Sequence, residues 1–193
     1  MRLTVPAIAL LAPLLTVGLS GCFPIVAGGV GAGAMMIDDR RTSGIYIEDE
    51  RIELRGFAEV NKLENRTQTK INFTSFNRIV LLTGQVPDEA TRERVGKLAA
   101  DIENVRKVHN ELKVAPPATL GERSNDTYIT SRVKTRFLGR DKGFSANHVK
   151  VVTEMGMVYL MGLVKPAEAE EATALAAATP GVKGVVKLFE MID

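Results

Sequence analysis

The chain has 193 residues, 45% hydrophobic and 25% charged, with a formal net charge of +2. That is material for one ordinary domain or two small ones, with a mainly aliphatic core, since aromatics are 5% and Trp is absent. The near balance of charge argues against a nucleic-acid protein with a dominant basic field. One Cys excludes a disulfide framework or Cys-rich metal site, and two His leave little for general-base chemistry, so the composition speaks against an enzyme.

Residues 1–21 read as a secretory signal: Met1-Arg2, an apolar run from Leu3 to Leu19, then small residues before Cys22. The run is interrupted by Pro6 and Pro13 and is short for a spanning helix, which needs about 20 residues. Leu19-Ser20-Gly21-Cys22 resembles the lipobox of bacterial lipoproteins, which implies cleavage before Cys22 and acylation of its sulfur and its new amine. Each buried CH₂ contributes roughly 0.8 kcal/mol, so several chains anchor far more firmly than one. Phe23, where an Asp would resemble an inner-membrane retention signal, implies the outer membrane. Residues 22–44, with Gly28-Gly29-Val30-Gly31-Ala32-Gly33, are expected to be a flexible tether; no strand or βαβ context supports a phosphate loop.

The remainder is one unit written twice. Leu81 to Val86 aligns with Tyr159 to Val164 at an offset of 78, which also pairs Ile71 with Val149 and Val80 with Val158. Nearer the ends the offset is 77, pairing Ile52 with Ile129, Leu98 with Leu175 and Val108 with Val185. Each unit reads helix, strand, strand, helix, strand. In the first unit the strands are expected at Ile71–Phe76, Ile79–Val86 and Val108–Val114, and Val95, Leu98, Ala99 and Ile102 mark the inner face of its second helix. In the second, Ile129, Val133 and Phe137 form one helix face, with Asn125 or Asp126 as the expected N-cap. Strands follow at Val149–Val151 and Met157–Val164, then a helix opened by Pro166 and a last strand at Val185–Ile192. Ala115-Pro116-Pro117-Ala118 separates the units, giving expected domains at 45–114 and 126–193 and a linker at 115–125. Units of about 70 residues have marginal cores, so they are expected to pack on each other or on a membrane.

The α-β-β-α-β repeat, the glycine closing each second strand (Gly84, Gly162), and Val105-Arg106-Lys107-Val108 with Val182-Lys183-Gly184-Val185 resemble BON domains. Gly121 to Thr130, Val80-Leu81-Leu82 with Gly84-Gln85, and Val158 to Val164 carry the same likeness, and two units behind a lipobox resemble the dual-BON outer-membrane lipoproteins. The resemblance implies an α+β fold of two tandem BON domains, each a small three-stranded mixed sheet backed by two helices. It also implies a lipid-anchored protein facing the periplasm, without enzymatic activity or cofactor, that supports outer-membrane integrity near the division site or the outer-membrane protein assembly machinery.

The two first helices differ in charge. Glu48 to Arg66 holds six acids and four bases, whereas Thr127 to Arg140 holds Arg132, Lys134, Arg136 and Arg140 and no acid. On a helical wheel Tyr128, Arg132, Thr135 and Arg136 gather beside the apolar face, with Leu138 on another flank. A tyrosine among guanidinium groups suits a headgroup region, where each cation near an anionic surface contributes roughly 1 kcal/mol; a solvated helix with ordinary surface cations is the plainer reading. The resemblance implies anionic-phospholipid binding by this helix, with Tyr128 where relatives carry Trp. Gly84 and Gly162 read first as close backbone approaches, Gly162 being the better candidate for a lipid contact. The alternative function is a protein-interaction module of an envelope assembly with no lipid binding. His109 and His148 have no second His, Cys or clear carboxylate at ligand spacing, so no metal or catalytic use is expected of them; nor is a small-molecule substrate or a nucleic-acid partner expected.

Overall fold

The structure is a computed structural model that describes residues 39–63, 69–138 and 145–193. The signal, Cys22, the Gly-rich stretch and Arg140 lie outside the described residues.

The first unit opens with α1 (Ser43–Val60), capped by the Thr42 hydroxyl, which accepts from the Ile45 amide at 3.3 Å. β1 (Lys70–Phe76) and β2 (Ile79–Val86) form an antiparallel hairpin. Its two-residue turn, Asn77-Arg78, takes φ of 51° and 63°, the geometry that matches strand twist in a tight hairpin. α2 (Glu89–Ala100), capped by Asp88, crosses over to β3 (Lys107–Asn110) and β4 (Lys113–Val114), both parallel to β2. The sequence pattern predicts one strand over Val108–Val114; the ladder is instead broken. Leu112 turns into the core at 1% exposure, and the Asn110 side chain accepts from its amide at 3.3 Å.

The second unit repeats the order: α3 (Leu120–Leu138), a 3₁₀ turn at Ala146–His148, β5 (Val149–Glu154), β6 (Met157–Val164), α4 (Pro166–Ala177) and β7 (Gly184–Met191). β6 is antiparallel to β5 and parallel to β7. Both units are thus α+β, with mixed sheets and two helices each. The expected cap at Asn125 or Asp126 is corrected: α3 starts at Leu120, and the boundary drawn at 126 falls inside it. Thr119 caps it through a reciprocal pair. Its hydroxyl accepts from the Glu122 amide at 3.3 Å, and the Glu122 carboxylate accepts from the Thr119 amide at 2.7 Å.

Asp126 is instead buried and accepts from the amides of Met155 and Gly156, each at 2.8 Å, pinning α3 to the β5–β6 turn. Asp49 does the same in the first unit, accepting from the amides of Asn77 and Arg78 at 2.8 and 2.7 Å. Both carboxylates satisfy turn amides that the hairpin leaves without ladder partners.

β2 is buried at all eight positions, which a strand with one wet face would not be. One side of each sheet meets its own helices, through Val80, Leu82 and Val95 in the first unit and Val133, Phe137 and Leu160 in the second. The other sides meet each other: Phe76, Ile79 and Leu81 pack with Tyr159 and Met161. Burial pushes the Tyr159 phenol up to about 12.

A polar knot sits within this seam. Glu154, 4% exposed, accepts from Lys70 (2.8 Å), Gln85 (2.7 Å) and Asn72 (3.2 Å) across the domains. The other end of the Gln85 amide accepts from the Ala118 amide at 2.9 Å. A second tie comes from the start of the described chain. Arg41 bonds Asp49 at 2.8 Å and lies 4.1 Å from the Phe76 ring centre, while Arg40 grips Glu168 at 2.6 and 2.7 Å and the Leu163 carbonyl at 2.8 Å. The Arg40 bond outweighs burial and holds the Glu168 carboxyl below its usual range.

Glu154→Ala strands Lys70 and Gln85 in the seam and is expected to cost about 3 kcal/mol of unfolding free energy. Urea titration followed by circular dichroism measures this; a loss below about 1 kcal/mol, the level of an exposed pair, would show the knot to be incidental.

Candidate functional site

α3 is held from within by Ile129, Val133 and Phe137, all at 0–1% exposure. Asp126 and Thr130 also touch the β5–β6 hairpin, and the opposite flank of the helix is exposed. Tyr128 is 57% exposed and Leu138 74%. Arg132 is half-buried and donates to the Tyr128 hydroxyl at 3.0 Å, its guanidinium 5.4 Å from the ring centre. That cation–π contact fixes an amphipathic ring and a fixed charge as one unit.

Arg136 follows one turn on, half-buried, and Lys134 and Thr135 are exposed. Among the described residues no carboxylate pairs with Arg132, Lys134 or Arg136, in contrast to Arg51, Arg55 and Lys62 of the first unit, which pair with Glu48, Glu103 and Glu59. The two acids of α3 are used elsewhere, Glu122 in the cap and Asp126 at the turn.

The hydroxyls of Thr127, Ser131 and Thr135 donate back to the carbonyls of Arg123, Thr127 and Ser131 at 2.9, 3.0 and 2.9 Å. These residues line the face beside Tyr128, with their hydroxyl protons already satisfied. Contact with a less aqueous phase therefore costs less there than it would for free hydroxyls.

The sites expected from sequence divide in two. Tyr128, Arg132, Thr135, Arg136 and Leu138 lie on the outer circumference of α3. Gly162 does not join them: it is buried inside β6, opposite Val149. A side chain there would collide with the carbonyl oxygen of His148, so close backbone approach accounts for the glycine. At Gly84, φ is 121° and a side chain would strike the Lys70 carbonyl, the same constraint in the first unit.

Comparison with known proteins agrees with this doubled architecture. The BON domain family matches residues 48–116 and again 125–193. The chain belongs to the BON family. It is 36% identical over 92% of its length to the Outer membrane lipoprotein DolP of Haemophilus influenzae, covering 92% of that protein. It is 33% identical to the 21 kDa hemolysin of Actinobacillus pleuropneumoniae, over 80% of each chain. The Osmotically-inducible protein Y of Escherichia coli K12 is 31% identical, over 80% of this chain and 78% of that one.

Sequence reasoning missed one exposed feature of the first BON domain. Ile47, Leu54 and Phe57 stand 48–59% exposed along α1. Their spacings of seven and three residues place them on one stripe; the intervening acids drew attention to charge instead. Glu48, Glu50 and Glu53 make α1 electrostatically unlike α3. Among the described residues no group of His, Cys, Asp or Glu could hold a metal ion.

Gly162→Ala is expected to lower stability by about 2 kcal/mol, as overpacking of tightly packed backbone does. Thermal unfolding checks this; an unchanged midpoint would mean that β5 and β6 do not need the close approach.

Proposed function

We propose that this BON protein is an outer-membrane lipoprotein, anchored through Cys22 and facing the periplasm, whose second BON domain binds anionic phospholipid through the outer face of α3. The observation that carries the reading is the exposed Tyr128 with Arg132 against its ring and Arg136 one turn on, while neither these two cations nor Lys134 on the same helix has a carboxylate partner among the described residues. Cations near an anionic bilayer contribute roughly 1 kcal/mol each, and a tyrosine supplies an apolar body with a polar tip at the boundary. The lipobox-like Leu19 to Cys22 and the name of the Haemophilus relative support the anchoring. Among the described residues no helix is long and apolar enough to cross a membrane.

The direction of α3 adds to this. Asp126 touches residues 155 and 156 and Thr130 touches Thr153, so the helix runs toward the start of β5 and the end of β6. Arg40 is bound at that same end, on Leu163 and Glu168. The chain from Cys22 therefore joins the body at the end where Leu138 is exposed. Sixteen residues separate Cys22 from Asp39, a contour of at most about 60 Å. Such a tether leaves orientation open, and the α3 contact selects it; the anchor raises the effective concentration of bilayer seen by a weak headgroup site. The role is structural support of the outer membrane, without catalysis.

Arg132→Glu combined with Arg136→Glu is expected to weaken binding of residues 39–193 to phosphatidylglycerol vesicles more than about tenfold while the fold persists. Vesicle sedimentation, with amide spectra to confirm folding, measures this. Equal binding of the wild type to phosphatidylglycerol and phosphatidylcholine would refute lipid recognition by charge.

A further inference from the structure

Each sheet has two outer strands, and three of these are interrupted or bridged by side chains. β1 and β5 are tied across the seam. Lys70 reaches Glu154 at 2.8 Å, and Lys150 reaches Glu53 at 2.7 Å and the Ser75 carbonyl at 3.2 Å. Glu53 in turn accepts from the Ser75 amide at 2.7 Å. β3 runs for only four residues before its ladder breaks, and Arg92 donates to the Asn110 carbonyl at 3.5 Å. β7 differs. It runs unbroken for eight residues, Gly184–Met191, and among the described residues none of its backbone groups is bonded outside the ladder with β6. A row of N–H and C=O groups therefore points outward from it.

Beside this edge the seam opens a cleft of about 320 Å³, walled by Ile79, His109 and Leu188. A strand laid along β7 would alternate its side chains between two faces. On the seam face they would enter the cleft, which Lys107 of β3 also lines. On the helix-facing side they would pass Lys187, whose register partner is Leu160. Lys107 and Lys187 are exposed and have no carboxylate partner among the described residues. Glu190, the acid of β7, is engaged by Asn77 at 2.6 Å and Arg106 at 3.0 Å. Each face of the position beside β7 is thus flanked by one unpaired ammonium group. A lysine in the middle of an edge strand discourages pairing with a second copy, which would bring like charges together. It does not discourage a strand that carries carboxylates.

We propose that the outer edge of β7 takes an extended, acidic protein segment as a fourth strand of the second sheet. Backbone hydrogen bonds to the outward row hold it. Adjacent carboxylates, one on each face, meet Lys107 and Lys187 and select it over other strands. The site does not rest on the lipid reading of α3. That helix touches β5, the opposite edge of the same sheet, through Thr130 and Thr153.

The test titrates the full-length chain, held in zwitterionic micelles, with a blocked octapeptide of valine and threonine that bears two adjacent glutamates at its centre. Saturable amide shifts along residues 184–191, with slowed exchange of the outward amides, are expected. Lys107→Glu and Lys187→Glu should each weaken binding about two- to fivefold with spectral dispersion unchanged. The double variant should prefer the same peptide with lysines in place of the glutamates. A fully N-methylated peptide, which lacks backbone donors, should not bind. Absence of saturable shifts along 184–191 overturns the proposal. So does equal binding of the N-methylated peptide, or equal binding of the lysine peptide to the unaltered chain. Concentration-dependent shifts along β7 without peptide would assign the edge to a second copy and overturn it as well.

Discussion

The arrangement depends on burying two sheet faces against each other. A BON unit of about 70 residues covers one side of its small sheet with two helices and leaves the other side bare, and so small a core is marginal alone. Here the bare sides meet. Leu81, Tyr159 and Met161 become at least 98% buried, and full burial of a side chain of that size contributes roughly 1.5–3 kcal/mol. Glu154 adds register rather than much net stability. A buried carboxylate tolerates only the packing that brings Lys70, Gln85 and Asn72 to it.

With the seam fixed, the outward surfaces are fixed too. α3 faces away from the first domain, with no carboxylate partner for Arg132, Lys134 or Arg136 among the described residues, while α1 carries its apolar stripe among acids. Arg40 and Arg41 bind the second and first domains respectively, so the start of the described chain touches both. Packing thereby sets which helix faces the body presents outward.

Much of this was legible because a duplicated sequence checks itself. The inner positions Ile129, Val133 and Phe137 follow from helical spacing, and the second strands from apolar runs ending at Gly84 and Gly162. β2 and β6 have the limits expected of them, Ile79–Val86 and Met157–Val164, each running two residues past its glycine. What escaped was held by contacts distant in sequence. Asp126 looks like a cap by type and position, but Thr119 had already begun the helix, and its carboxylate is used on a turn about thirty residues away. Asp49 reads as one acid among six, although it is 2% exposed and holds the first hairpin turn. At α3 the charge asymmetry was plain in the sequence. The buried position of Gly162 was not, because a glycine's spacing does not say whether backbone or ligand comes close.

The central claim is that the α3 face, and not the apolar stripe of α1, meets the bilayer. Residues 39–193 contain no cysteine, so single nitroxide labels can be placed at Leu138→Cys and Phe57→Cys and compared on phosphatidylglycerol vesicles. Collision rates with oxygen and with a water-soluble nickel complex report immersion. The label at 138 should gain oxygen and lose nickel accessibility on binding, while the label at 57 stays in water. Immersion of 57 with 138 left in water would contradict the account.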